Sequence, residues 1–166
     1  MDNPKIEIIV KDFGTMKAEL YPETAPVTVA NFLKLIEEKF FDGLIFHRVI
    51  PGFMIQGGGY DENFREKDAD SIRGEFKSNG FENELKHTRG VLSMARTNVP
   101  DSASSQFFVM HRDAPHLDGN YAAFGKLTDG FDVLDDIAVT RTGNRGFYMQ
   151  DVPVKNVVIE TIRLAE

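Results

Sequence analysis

Helical periodicity occurs at only two places in this chain of 166 residues, and that scarcity constrains the fold more than any other feature. Val29, Phe32, Leu33 and Ile36 recur at i, i+3, i+4 and i+7, one apolar face of a helix. Thr24-Ala25-Pro26 precedes them, a capping residue type and a proline suited to the first turn, and the helix is expected to end near Lys39. Phe131, Leu134, Ile137 and Ala138 mark a second, shorter helix, with Thr128 or Asp129 as its cap. Most other apolar segments are short and bounded by turn residues. Lys5–Val10 and Met16–Leu20 alternate on either side of Asp12-Phe13-Gly14, which reads as a hairpin. Leu44–Ile50, Phe53–Gln56, Val91–Ala95, Gln106–Met110, Tyr121–Phe124 and Asn156–Leu164 are further strand segments. Many short strands with two separated helices imply a closed or nearly closed antiparallel β structure. Periodicity by itself leaves barrel and sandwich both open.

The length fits one domain, taken as residues 1–166. Subtracting 26 acidic from 19 basic side chains leaves −7, which argues against nucleic-acid and membrane-surface partners. The absence of cysteine excludes disulfides, a thiolate nucleophile and a zinc–thiolate site. No stretch approaches the roughly 20 apolar residues of a membrane span. Met1-Asp2-Asn3-Pro4-Lys5 carries no basic region and no apolar run follows it, so the cytoplasm is the expected compartment.

Several motifs can be set aside. His111 and His116 lie five apart with Pro115 between them, which is neither a helical metal pair nor strand alternation. Gly57-Gly58-Gly59 continues into Tyr60-Asp61 and lacks the lysine and hydroxyl residue of a phosphate loop. It reads instead as a close backbone approach or a sharp bend. Ser102, Ser104 and Ser105 sit in no nucleophile elbow. No metal or cofactor is expected.

Phe46-His47-Arg48-Val49-Ile50-Pro51-Gly52-Phe53-Met54-Ile55-Gln56-Gly57-Gly58 places a polar, cationic pair inside an apolar run. A buried cation without partners is costly. Arg48 therefore lies either on the solvent face of an edge strand or in a groove walled by Phe53 and Met54. This segment resembles the signature of the cyclophilin-type peptidyl-prolyl isomerases. Leu92-Ser93-Met94-Ala95, Ser105-Gln106-Phe107-Phe108-Val109 and His116-Leu117-Asp118-Gly119 running to Phe124-Gly125-Lys126 match the same family in order and spacing. Thr28–Phe32 and Asn83–His87 add smaller matches, so the resemblance covers nearly the whole chain.

The resemblance implies a mostly β fold, a closed eight-stranded antiparallel β-barrel with two capping α-helices. It also implies cis/trans isomerisation of the peptide bond before proline, in the service of protein folding. Arg48 matches the catalytic arginine. Phe53, Met54, Phe108 and Leu117 match the proline slot; Gln56 matches the residue that orients the arginine. Ala95 and Arg96 match a stretch that pairs with the substrate main chain. Gln106, His47, His116 and Tyr121 complete the substrate-binding set. Expected partners are proline-containing peptides and unfolded or flexible protein segments, bound by a monomer.

The chain departs from the family's pattern in three places. His116 stands where many members carry tryptophan, which implies reduced affinity for cyclosporin. Tyr121 replaces a histidine at the rim. The loop Arg96–Ser104 is one residue longer than the commonest pattern. Two other readings are a related binding module without useful catalysis and a hollow barrel holding a small apolar ligand. The presence of Arg48, Phe53, Gln56 and Phe108 together favours the enzyme over the first, and a filled interior would exclude the second.

Overall fold

Alternation over the first twenty residues builds the hairpin it implies. In the computed structural model, which describes residues 3–146 and 149–165, β1 (Lys5–Val10) pairs with β2 (Gly14–Leu20) in register from Lys5↔Glu19 to Val10↔Gly14. Helix α1 (Pro26–Glu37) follows and buries Val29, Phe32, Leu35 and Ile36, with Leu33 only partly covered. β3 (Arg48–Ile50) and β4 (Met54–Gly57) flank the Pro51-Gly52 turn. β5 (Val91–Met94), β6 (Phe107–Met110) and β7 (Ala123–Asp129) come next, then α2 (Phe131–Ala138). The hairpin β8 (Thr142–Arg145) and β9 (Met149–Pro153) precedes β10 (Ile159–Leu164). The β8–β9 pair escapes sequence reading because Thr142–Arg145 is polar and largely exposed, with no apolar alternation.

Eight strands form one antiparallel sheet in the order β10-β1-β2-β7-β5-β6-β4-β3. The expected closed barrel is corrected here: the sheet is an open, curled half-barrel whose edge strands β3 and β10 share no ladder. Leu44–His47, read as strand, stays outside the sheet. Gly43–Phe46 spans the seam through three amide bonds with residues 157–159 and the single bridge Ile45↔Val158. β3 is too short to do more, since it has three residues and ends at a proline without an N–H.

The concave side is filled, not hollow. The Phe32 ring lies 5.0 Å from Phe41, 5.3 Å from Phe107 and 5.1 Å from Phe124, and Ile6, Ile8, Leu20 and Ile55 close around them with no exposed surface. Aromatic pairs at these separations add to the area they bury. Gly57 allows the strand to run against its neighbour, because a Cβ there would lie 2.6 Å from the Ile45 carbonyl oxygen. This is the close approach read for the glycine cluster.

Neither helix starts on the side-chain cap read from sequence. α2 begins after Gly130, whose amide donates to the Asp129 carboxylate. α1 is capped from across the chain. The buried Glu75 carboxylate accepts from the Val27 amide at 3.2 Å, the Thr28 amide at 2.7 Å and the Thr28 hydroxyl at 2.7 Å. Charge-assisted bonds of this kind are the stronger class, and the helix N-terminus favours an anion. Glu75→Ala is therefore expected to cost about 2–3 kcal/mol and to lower the melting temperature by roughly 4–10 °C, read by thermal unfolding.

Candidate active site

Strand register assembles the outer face opposite the phenylalanine core. Arg48 pairs with Gln56, Gln56 with Phe108 and Phe108 with Ser93, so four adjacent strands place these residues in one row. Ile50, Met54 and Met110 form the next row. Successive side chains point to opposite faces, so β6 sends Phe107 and Val109 into the main core and Phe108 and Met110 into a second apolar cluster. That cluster also holds Met54, Leu117 and Ala123, with Phe53 and Tyr121 packed at its edge.

A cavity of about 130 Å³ opens over it, lined by Arg48, Phe53, Met54, Gln56, Ala95, Arg96, Phe108, Leu117 and Tyr121. Nine of the twelve residues singled out from sequence thus meet in one groove. Two more border it. Gln106 accepts a hydrogen bond from the Gln56 amide at 3.0 Å, and His116 stacks on Phe53 with ring centroids 5.8 Å apart. The Gln56 carbonyl accepts from the Arg48 guanidinium at 3.3 Å. Gln56 is therefore oriented from behind by Gln106 and in turn aims Arg48 at the mouth of the slot.

His47 is not part of this groove. It lines a neighbouring cavity of about 710 Å³ with Tyr60, Phe64 and Arg145, and the exposed Arg48 borders both cavities. Its ring meets Tyr60 edge-on at 4.7 Å, and its buried Nδ1 has no hydrogen-bond partner among the described residues. Arg96 lines the groove, but its guanidinium is committed elsewhere. It donates to the Asn120 and Thr97 carbonyls and lies between the Phe76 and Tyr121 rings, 4.6 and 4.8 Å from their centroids. The side chain braces Tyr121, and the Ala95 amide is tied to the Gln106 carbonyl.

Sequence reading missed the support beneath the slot. His87, whose side chain is fully buried, stacks on Phe108 with centroids 6.0 Å apart. Its Nδ1 meets Asp118 at 3.1 Å and its Nε2 meets the Ser93 hydroxyl at 2.9 Å. Asp118 also accepts the His87 amide at 2.6 Å. A neutral ring donating to Asp118 and accepting from Ser93 satisfies every group. His87 entered the sequence reading only as the end of the Asn83–His87 match, and nothing local links it to Ser93 or Phe108. Among the described residues no group of three or more His, Asp or Glu is placed to hold a metal ion.

The sequence and the fold recur in known proteins. The family model described as cyclophilin type peptidyl-prolyl cis-trans isomerase/CLD matches residues 5–164. A peptidyl-prolyl cis-trans isomerase of Acinetobacter baylyi is 45% identical over 159 residues, covering 92% of this chain and 81% of the relative. Peptidyl-prolyl cis-trans isomerase B of Escherichia coli is 41% identical over 161 residues, covering 92% and 95%. A cyclophilin type isomerase of Cryptosporidium parvum, crystallised in the presence of the dipeptide Ala-Pro, superposes with a TM-score of 0.80 at 31% identity over 98% of this chain and 99% of that one. The chain belongs to the cyclophilin-type peptidyl-prolyl cis-trans isomerase family.

Burial sets the acid stability. It pushes the His47 imidazole down from 6.5 to about 4, with Arg48 adding to the effect. Burial also lowers His87, against the pull of Asp118. The unfolded chain therefore binds more protons between roughly pH 6.5 and pH 4, and stability falls as pH drops through that window. From His47 the loss should reach about 3 kcal/mol near pH 4. Urea unfolding at pH 7 and near pH 4.5 measures it, and His47→Gln should flatten the dependence.

Proposed function

We propose that this groove is where the isomerase twists the bond before proline, with Arg48 as the catalytic group. The observation that carries the reading is that one cavity brings an oriented guanidinium to the mouth of an apolar slot. The barrier to be lowered is roughly 18–20 kcal/mol and arises from partial double-bond character. No bond need break. In the twisted state conjugation is lost, and the prolyl nitrogen becomes pyramidal with a localised lone pair. A donor already aimed at that nitrogen binds the twisted amide better than either planar form.

Arginine suits the task because it stays charged and its fork can hold one partner while serving another. Arg48 is exposed at the groove mouth and spends one N–H on Gln56. Phe53, Met54, Phe108 and Leu117 would receive the prolyl ring. Rotation needs one side of the amide held while the other turns, and the backbone at Ala95 and Arg96, with Gln56 and Gln106, supplies the grip. A site that grips ring and backbone accepts many residues before proline, which suits flexible or unfolded protein segments. The proposal includes action as a monomer in the cytoplasm. Among the described residues no helix is long and apolar enough to cross a membrane.

Arg48→Ala should remove most catalysis of an Ala-Pro peptide while the melting temperature stays near that of the parent. Arg48→Lys should restore little, because a point charge does not reproduce the fork. An unchanged rate in a folded Ala variant would take Arg48 out of the mechanism.

His116 bears on drug binding rather than chemistry. Its stacking on Phe53 puts it at the slot's flank, within reach of a bulky cyclic ligand. His116→Trp adds apolar area and an N–H donor and should tighten cyclosporin by roughly one to two decades. Peptide turnover should change much less. Calorimetric titration and exchange kinetics on both proteins separate the two effects.

A further inference from the structure

Ile50 to Phe53 forms a type II turn. Pro51 occupies the second position, Gly52 the third with φ +79°, and the Phe53 amide donates to the Ile50 carbonyl at 3.0 Å. Type I and type II turns differ by a flip of their central peptide, here Pro51–Gly52. The amide of that peptide, on Gly52, donates to Nδ1 of His111 at 2.8 Å. His111 is 6% exposed. Its Nε2 lies 3.0 Å from the Asp135 carboxylate, and its own amide donates to the Phe53 carbonyl at 2.8 Å. Only the neutral ring with its proton on Nε2 can make both side-chain bonds. Asp135 thus selects the tautomer that holds the flippable peptide, and Phe53 of the proline slot follows directly.

We infer that Asp135 in α2 is a positioning residue for isomerisation, acting through His111 to hold the Pro51–Gly52 peptide in the orientation that seats Phe53. The inference rests on the reading of the groove given above. Charged groups of both signs face the ring. Arg89, from the segment before β5, grips Asp135 through two bonds of 2.7 and 2.9 Å. Arg89 and Arg112 both donate to the His111 carbonyl. Arg112 also reaches within 4.0 Å of Asp135, while Asp113 accepts the Arg89 amide. Burial, Arg112 and Arg89 push the imidazole below its ordinary range, against the pull of Asp135. Protonation at Nδ1 sets donor against donor at Gly52 and favours the flipped peptide, which turns the Pro51 carbonyl to the ring instead.

The lock has a direct readout in the unaltered protein. In amide-resolved NMR titrations run downward from about pH 7.5 until the His111 ring has titrated, the Gly52 N–H should shift in step with that ring. The KM for an Ala-Pro peptide should rise over the same range, with kcat nearly constant. Loss of one hydrogen bond corresponds to roughly threefold to tenfold. His111→Asn keeps an acceptor oxygen near the position of Nδ1 and has no proton to gain, so its KM should be near the parent's at neutral pH and flat with pH. His111→Leu and Asp135→Ala should show the raised KM already at neutral pH. A Gly52 amide that ignores the His111 titration, or a His111→Asn variant with the parent's pH-dependent KM, would overturn the inference. Failure of the Arg48 test would overturn the reading of the groove instead and leave the Gly52 titration standing.

Discussion

The site depends on the pairing register of β3, β4, β6 and β5. Arg48 and Gln56 face each other in one hairpin, Phe108 and Ser93 come from distant strands, and the four share a row only because Arg48↔Gln56, Gln56↔Phe108 and Phe108↔Ser93 are the pairs formed. A slip of one residue would exchange the two faces of a strand. For β3 it would send Arg48 toward the phenylalanine core and Val49 into the groove. The tight turn at Pro51-Gly52 sets this register, and the peptide it contains is held by His111. The geometry of the proposed site and the strand pairing therefore share one anchor.

Filling the concave side decides where chemistry can occur. Phe32, Phe41, Phe107 and Phe124 fill the inside of the half-barrel with buried rings in mutual contact. The second cluster on the outer face is small and open on one side, as a slot for a single ring requires. Both faces of β6 are consumed in the process, which explains the unbroken apolar run Phe107–Met110. Beneath the slot, His87 joins Phe108 to Asp118 and Ser93 with every ring nitrogen bonded. Buried polar groups are tolerated when satisfied, and they then rigidify what they touch.

Rigidity matters because the reaction offers so little to act on. The substrate keeps all its bonds, and the developing feature is one lone pair. In the proposed mechanism the enzyme's contribution is a donor held in place before the amide twists. Gln106 orients Gln56, and Gln56 orients Arg48. Arg96, despite its place at the groove, acts as a brace, since its guanidinium is taken up by two carbonyls and two rings.

Sequence by itself determined the two helices, most of the strands and the residues that meet in the groove. Apolar periodicity marks the elements, and the run Phe46–Gly58 with its partner blocks carries the proposed site in residue types that few other contexts require. The closed barrel that the resemblance implied was overstated, because the three-residue β3, cut off by Pro51, shares no ladder with β10. Sequence reading also passed over β8–β9, where pairing comes without apolar alternation. Tertiary structure alone decided that Glu75 caps α1, that His47 leaves the groove Arg48 enters, and that Asp135 reaches the Pro51-Gly52 turn through His111. Each of these is a polar contact between residues distant in the chain or a choice of face. Local sequence encodes which groups need partners, while the fold decides which partners come within 3 Å.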